Sequence, residues 1–300
     1  MEIVDLGQSG LRVSRVGVGC NNFGGRIGAE ETRAVVEAAL DAGITFFDTA
    51  EVYGNEGGSE RLLGENLAGR REQVVLATKF AWKEDAGQGS AENVRRAVAG
   101  SLERLRTDYI DLYYLHRPDA TTPIAETLGA LDELVQAGTV RAIGCSNFSA
   151  EQLAEADRVA REQGTARFTV LQNHYNLLRR DDDRDVLPLC RALGVSYVPY
   201  FPLASGLLTG TYRRGEPAPE GTRLHGREID QAQFDRIDAL ARFAEARGHT
   251  LVELAIAALA STPGIDSVIA GATKPEQVRA NAAAADWLLT DEELRELATA

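Results

Sequence analysis

The stretch VVLATKFAWKEDAGQGSAENVRRAVAGSLERLRTDYIDLYYLH, residues 74–116, decides the fold. Its two ends, VVLATK (74–79) and IDLYYLH (110–116), are short and almost wholly apolar, and the segment between them is long enough for an amphipathic helix. Short apolar runs of this kind suit strands buried on both faces, and a strand, helix, strand succession suits a parallel crossover unit. The alternation continues in both directions. Upstream lie VGVGC (16–20) and ITFFD (44–48); downstream lie VRAIGCS (140–146), FTVLQ (168–172), VSYVP (195–199) and DSVIA (266–270), giving eight strand candidates. Capping boxes at Ser149 with Gln152 and at Thr273 with Glu276 mark two helix starts, each satisfying backbone N–H groups that a helix leaves unpaired. Ahead of the first strand, Glu2 to Leu6 and Leu11 to Ser14 flank a turn at Gly7 to Gly10 and read as a hairpin.

Eight βα units close a barrel, so the expected architecture is α/β: a (β/α)8 TIM barrel with an N-terminal β-hairpin, one domain over residues 1–300. A length of 300 residues with 44% hydrophobic content supplies a core of that size. The competing architecture, a doubly wound open sheet, usually carries GxGxxG in its first βα turn; Gly17-Val18-Gly19-Cys20-Asn21-Asn22 lacks the third glycine. One long irregular stretch, Ser205 to about Glu228, is rich in Gly, Pro and Arg, and loops that long in compact domains are usually functional or disordered. The charge run Arg179 to Asp185 reads as a solvated loop, and the alanine-rich Ala282 to Ala285 as ordinary helix.

A net charge of −13 opposes association with nucleic acid or anionic membrane and leaves a small molecule as the expected partner. Cys20, Cys145 and Cys190 are odd in number and widely spaced, which suits reduced thiols rather than a disulfide framework. No apolar run approaches the roughly 18 residues of a membrane span, and the N-terminus MEIVDLGQSG lacks the features of a signal peptide, so the expected location is the cytosol. His174, His225 and His249 show no metal-ligand spacing, and no metal is expected.

In barrels of this type the active site lies at the C-terminal ends of the strands. Asp48 closes the second strand candidate, Tyr53 follows in its loop, Lys79 closes the third and His116 the fourth. Taken singly, these are a turn former, a half-buried ring, a surface charge and a core histidine. Taken together at consecutive strand ends, they converge on one mouth and read as a catalytic set.

The segment Asp48-Thr49-Ala50-Glu51-Val52-Tyr53-Gly54, with Lys79 and His116, resembles the tetrad of the aldo-keto reductase family, and the resemblance runs along essentially the whole chain. Gly144 to Phe148, Gln172, Tyr200 to Leu203 and Gly271 to Asn281 resemble the family's later motifs, each at a strand end. The implied activity is reduction of an aldehyde or ketone by hydride transfer from a nicotinamide cofactor. Such a reaction builds negative charge on the carbonyl oxygen and calls for a proton donor and fixed dipoles. Tyr53 is the implied donor, Lys79 the cation favouring its phenolate, Asp48 the anchor of Lys79, and His116 the group orienting the carbonyl.

The resemblance also implies a cofactor site. Ser146, Asn147 and Gln172 would hold the nicotinamide carboxamide, and Tyr200 would stack on its ring, with Asn21 and Cys20 near the ribose. Phe201, Leu203, Ser205 and Gly206 would take the diphosphate beneath the long loop, and Gly271, Thr273, Lys274, Gln277 and Asn281 the adenosine end, at a helix start suited to an anion. Phe23 and Trp82 are expected to wall the substrate pocket. Gly271 and Gln277 stand where well-known family members carry a lysine and an arginine for the 2′-phosphate; Lys274, Arg213, Arg214 and Arg223 are the candidate replacements. NADPH is the expected cofactor and NADH the alternative. The short helix near Thr290 ends the chain without a long tail, which implies an open pocket. Two other functions stay open: oxidation of a sugar or alcohol with the same residues, and a regulatory role like that of the family's potassium-channel β subunits.

Overall fold

The computed structural model describes residues 1–83 and 85–299. Among them, eight parallel strands close a barrel: β3 (Val16–Gly19), β4 (Phe46–Asp48), β5 (Val75–Phe80), β6 (Ile110–Leu115), β7 (Val140–Ser146), β8 (Val170–His174), β9 (Ser196–Tyr200) and β10 (Val268–Gly271), with β10 pairing back onto β3. The hairpin of β1 (Ile3–Asp5) and β2 (Arg12–Ser14) stands apart as an antiparallel pair. Strand buried on both faces explains why the barrel segments are apolar runs rather than alternating ones. Inside, Phe46, Ala77, Leu112, Tyr114, Val170, Val198 and Ile269 pack together with Leu6, Leu11 and Val13 of the hairpin, which thereby seals the N-terminal end. The opposite end stays open.

Helices α1 (Ala29–Asp41), α2 (Tyr53–Asn66), α3 (Ala91–Leu105), α4 (Ile124–Gln136), α5 (Ala150–Gln163) and α6 (Val186–Leu193) follow β3 to β8 in turn. Two helices, α7 (Gln233–Glu245) and α8 (Leu251–Ala260), lie between β9 and β10, and α9 (Pro275–Ala284) and α10 (Asp291–Thr299) close the chain. Their apolar stripes face the strands in one large core, Val35, Leu63, Val94, Leu131 and Leu153 among its members. A second cluster joins α7, α8 and α10 to Leu208 and Tyr212, fastening the base of the long loop.

Ser149 and Gln152 form the expected capping box on α5. The box expected at Thr273 and Glu276 does not form: Lys274 is the cap residue, Pro275 opens the helix, and the Thr273 amide and hydroxyl donate to Gln277 Oε1 instead. The solvated loop expected at 179–185 is also corrected. Asp182 accepts from Tyr197 of β9 and Asn173 of β8, and Asp183 from Tyr175 and Arg180, so two of the seven residues in that run are tied to the barrel and the turn after β8.

Candidate active site

At the open end, a cavity of about 520 Å³ runs from Trp82 and His116 on one side to Thr273 and Gln277 on the other. Its floor is set by an ion pair. Lys79, fully buried on β5, donates to Asp48 Oδ2 at 2.6 Å and to the Thr49 carbonyl at 2.8 Å. Parallel pairing aligns Asp48 with Ala77, two residues before Lys79 on the same face of β5, which leaves the long Lys79 side chain within reach of the Asp48 carboxylate. The other Asp48 oxygen accepts from Gln172 Nε2 at 3.0 Å, linking the pair to the far wall.

Tyr53 sits above this pair, its ring centroid 5.2 Å from the Lys79 ammonium and 5.8 Å, edge on, from the His116 ring. The backbone after it is unusual: residues 54–57 all have positive φ, a left-handed turn that aims Tyr53 before α2 becomes regular. At Gly54 a Cβ would lie 2.2 Å from the Phe23 carbonyl oxygen and 2.6 Å from the Ser59 nitrogen, so only glycine fits. Burial, the Asp48 carboxylate and Cys20 push the Tyr53 phenol far up, and Arg223 of the long loop acts against them. Lys79, expected to be that cation, has its two hydrogen bonds on Asp48 and Thr49.

His116 follows β6, almost fully buried, with Trp82 packed on its ring at 4.5 Å. Burial, Lys79 and Arg117 hold it well below its ordinary value, so it is neutral. Its Nδ1 is buried without a partner. An orphaned N–H is rarer and costlier than an orphaned acceptor, which places the proton on Nε2, available to a carbonyl oxygen.

The far wall is one connected network. Ser146 Oγ donates to the Gln172 carbonyl at 2.6 Å; Asn147 Nδ2 donates to the His116 carbonyl at 3.0 Å; Tyr200 donates to Asn147 Oδ1 at 2.8 Å. Phe201, Leu203, Ser205 and Gly206 continue the wall, and Gly271, Thr273 and Gln277 end it. Arg223 reaches across from the long loop, donating to Asn21 Oδ1 at 3.2 Å and Asn22 Oδ1 at 3.0 Å, while Arg26 donates to the Gly221 carbonyl at 2.7 Å. The long loop is thus tied twice to the loop that follows β3.

Most of the expected site residues line this cavity: Asn21, Asp48, Tyr53, Trp82, His116, Ser146, Asn147, Gln172, Tyr200, Phe201, Leu203, Ser205, Gly206, Gly271, Thr273 and Gln277. Lys79 lies beneath it, Lys274 is exposed at the start of α9, and Asn281 is buried within α9. Phe23 is corrected: its ring is fully buried in the core, because the loop after β3 turns it inward. Arg26, Asn22 and Tyr212 line the cavity without having been singled out. Only the chain's path over the barrel end brings them there, and local sequence carries no signal for it. Among the described residues there is no group of three or more His, Cys, Asp or Glu side chains placed to hold a metal, and no helix is long and apolar enough to cross a membrane.

A family model described as Aldo/keto reductase family matches residues 15–300. The chain belongs to the aldo-keto reductase family. That makes it an oxidoreductase of small carbonyl compounds, in a family that generally uses nicotinamide cofactors. It is 39% identical to a probable voltage-gated potassium channel subunit beta of Oryza sativa subsp. japonica, over 97% of this chain and 94% of that protein. It is 36% identical to aldo-keto reductase YhdN of Bacillus subtilis, over 100% and 93%. With L-glyceraldehyde 3-phosphate reductase of Escherichia coli the identity is 33%, over 92% of this chain and 85% of that protein.

Proposed function

We propose that this aldo-keto reductase, a single domain over residues 1–300, reduces an aldehyde or ketone by hydride transfer, with NADPH preferred to NADH and Tyr53 giving the proton. One observation carries the reading. Tyr53, His116 and Asp48, with Lys79 paired to Asp48 from beneath, share a cavity with a hydrogen-bonded wall of Ser146, Asn147, Gln172 and Tyr200. The cavity's volume of about 520 Å³ and its mixed polar and aromatic lining suit a bound small-molecule cofactor.

When bound, the cofactor supplies the hydride; the residues do the rest. His116 donates from Nε2 to the substrate carbonyl and orients it. Tyr53, kept protonated by burial and by Asp48, gives its proton as charge builds on the same oxygen. Lys79 and Arg223 provide the positive field that steadies the phenolate left behind. Tyr200 offers a flat face to the nicotinamide, Ser146, Asn147 and Gln172 polar groups to its carboxamide, and Arg223 a partly buried cation to the phosphates. Trp82 walls the substrate side. In the reverse direction the same groups oxidise an alcohol. The three free, buried cysteines support a reducing, cytosolic setting. The Escherichia coli relative's name makes small aldehydes, phosphorylated ones included, the first substrates to try.

Replacing Tyr53 with Phe tests the assignment, because it removes the donor and little else. Turnover falls by about 10² to 10⁴ while cofactor affinity stays within about twofold. Near-normal turnover in that variant would remove Tyr53 from the mechanism.

The Oryza sativa relative, named a probable channel subunit, favours a second reading, in which the same barrel binds cofactor and docks on a membrane channel. A stable complex with such a channel in a pull-down supports it.

A further inference from the structure

Behind Tyr200 lies a residue that does not touch the cavity. His174, the last residue of β8, stacks on the Tyr200 ring at 5.3 Å with 18° between planes, and Phe201 packs edge on to both. Tyr200 is therefore held at its tip by Asn147 and on its back by His174. Both nitrogens of His174 face donors. Arg179 Nη1 lies 3.0 Å from Nδ1 and Asn176 Nδ2 lies 3.4 Å from Nε2. The Asn176 amide cannot be turned the other way, since its Oδ1 accepts from the Leu178 and Arg179 amides and its Nδ2 donates to the Phe201 carbonyl.

This arrangement favours the neutral ring over the doubly protonated one. Nδ1 accepts from Arg179, and the single ring proton sits on Nε2 against the longer contact. A second proton would find no acceptor and would set an imidazolium against a guanidinium. The charged and titratable groups facing His174 are Arg179 from the following loop, Asp182 from the turn at 181–183, and the Tyr200 phenol from β9. Burial and Arg179 push His174 below its ordinary value and Asp182 acts the other way. Arg179 has a second partner at hand, Asp181 at 3.5 Å.

We propose that His174 and Arg179 are positioning residues for Tyr200, and that a proton arriving on His174 turns Arg179 toward Asp181 and frees the Tyr200 ring. The inference rests on the reading of Tyr200 as the nicotinamide platform. It makes cofactor binding weaken in acid: the bound state requires neutral His174, so the dissociation constant rises as pH falls through His174's folded value, which burial and Arg179 hold below the ordinary value of about 6.5.

The test is a fluorescence titration of the full chain with NADP⁺ and with NAD⁺ from about pH 7.5 to about pH 5. NAD⁺ lacks the titrating 2′-phosphate, so a rise common to both traces to the protein. In the wild type the dissociation constant climbs on the acid side. His174→Phe keeps the stack and loses the climb; Arg179→Gln moves it to higher pH, because the opposing cation is gone. His174→Ala weakens binding at neutral pH by about 2- to 12-fold, the worth of one aromatic pair. A climb that survives in His174→Phe, or one that stays in place in Arg179→Gln, would overturn the proposal. Folded wild type that binds neither cofactor at any pH would overturn the cofactor reading itself, and the inference with it.

Discussion

Replacing Gly54 with Ala moves the catalytic tyrosine without touching it. The residue has φ 68° and ψ 51°, and an added Cβ would sit 2.2 Å from the Phe23 carbonyl oxygen and 2.6 Å from the Ser59 nitrogen. Both are backbone atoms, so neither can rotate away. Carbon and oxygen rest about 3.5 Å apart, so the turn must shift by about 1 Å. The left-handed backbone adds about 1–2 kcal/mol for a residue with a side chain. Tyr53 is the adjacent residue, and a displacement of about 1 Å at a reacting group costs about 10²-fold in rate. The expected result is a turnover number about 100-fold down with cofactor affinity unchanged. Gly69→Ala is the control: it shares a positive φ of 75°, has open space around its Cβ, and lies in the turn past the far end of α2. It loses stability and keeps turnover. Folded Gly54→Ala with turnover within twofold of wild type would refute the reasoning.

Three other outcomes follow from the site. Arg223→Ala unfastens the loop from Asn21 and Asn22, and stopped-flow release of cofactor quickens about tenfold, a charged hydrogen bond discounted for partial exposure; unchanged release would show the clasp to be idle. Because burial, Lys79 and Arg117 hold folded His116 far below 6.5, the unfolded chain takes up a proton there that the folded chain refuses. Stability therefore falls as pH drops below about 6.5, by up to about 1.4 kcal/mol per pH unit for this group, and His116→Gln flattens denaturant midpoints measured down that range; an equally steep variant contradicts the assignment. Lys274→Ala raises the Michaelis constant for NADPH by about 2- to 5-fold and that for NADH less, as a cation at a helix start near a phosphate should; equal effects would take Lys274 out of the site.

The barrel was legible because its strands are buried on both faces: VRAIGCS matches β7 at both ends, and the other barrel strands shift by one or two residues. Polar residues at strand ends were legible for the same reason, since Asp48, Lys79 and His116 interrupt apolar runs at or next to the points where strands stop, whereas Gln172 lies two residues before β8 ends. Readings that depended on direction rather than position did less well. Phe23 and Asn22 are neighbours in one turn, yet the first points into the core and the second lines the cavity. Thr273 looked like a cap because of its spacing to Glu276, but Pro275 starts the helix one residue later and Gln277 takes the bonds. Arg26 meets Gly221 across 195 residues of chain, a contact that no local pattern encodes.

The most direct test of the central claim is to mix the purified chain with NADPH, and separately with NADH, add a panel of small aldehydes and ketones, and follow the absorbance of the reduced nicotinamide. The account predicts saturable cofactor binding, tighter for NADPH, and carbonyl-dependent oxidation that disappears in Tyr53→Phe. Folded protein that binds neither cofactor, or oxidation that persists undiminished in Tyr53→Phe, would contradict it.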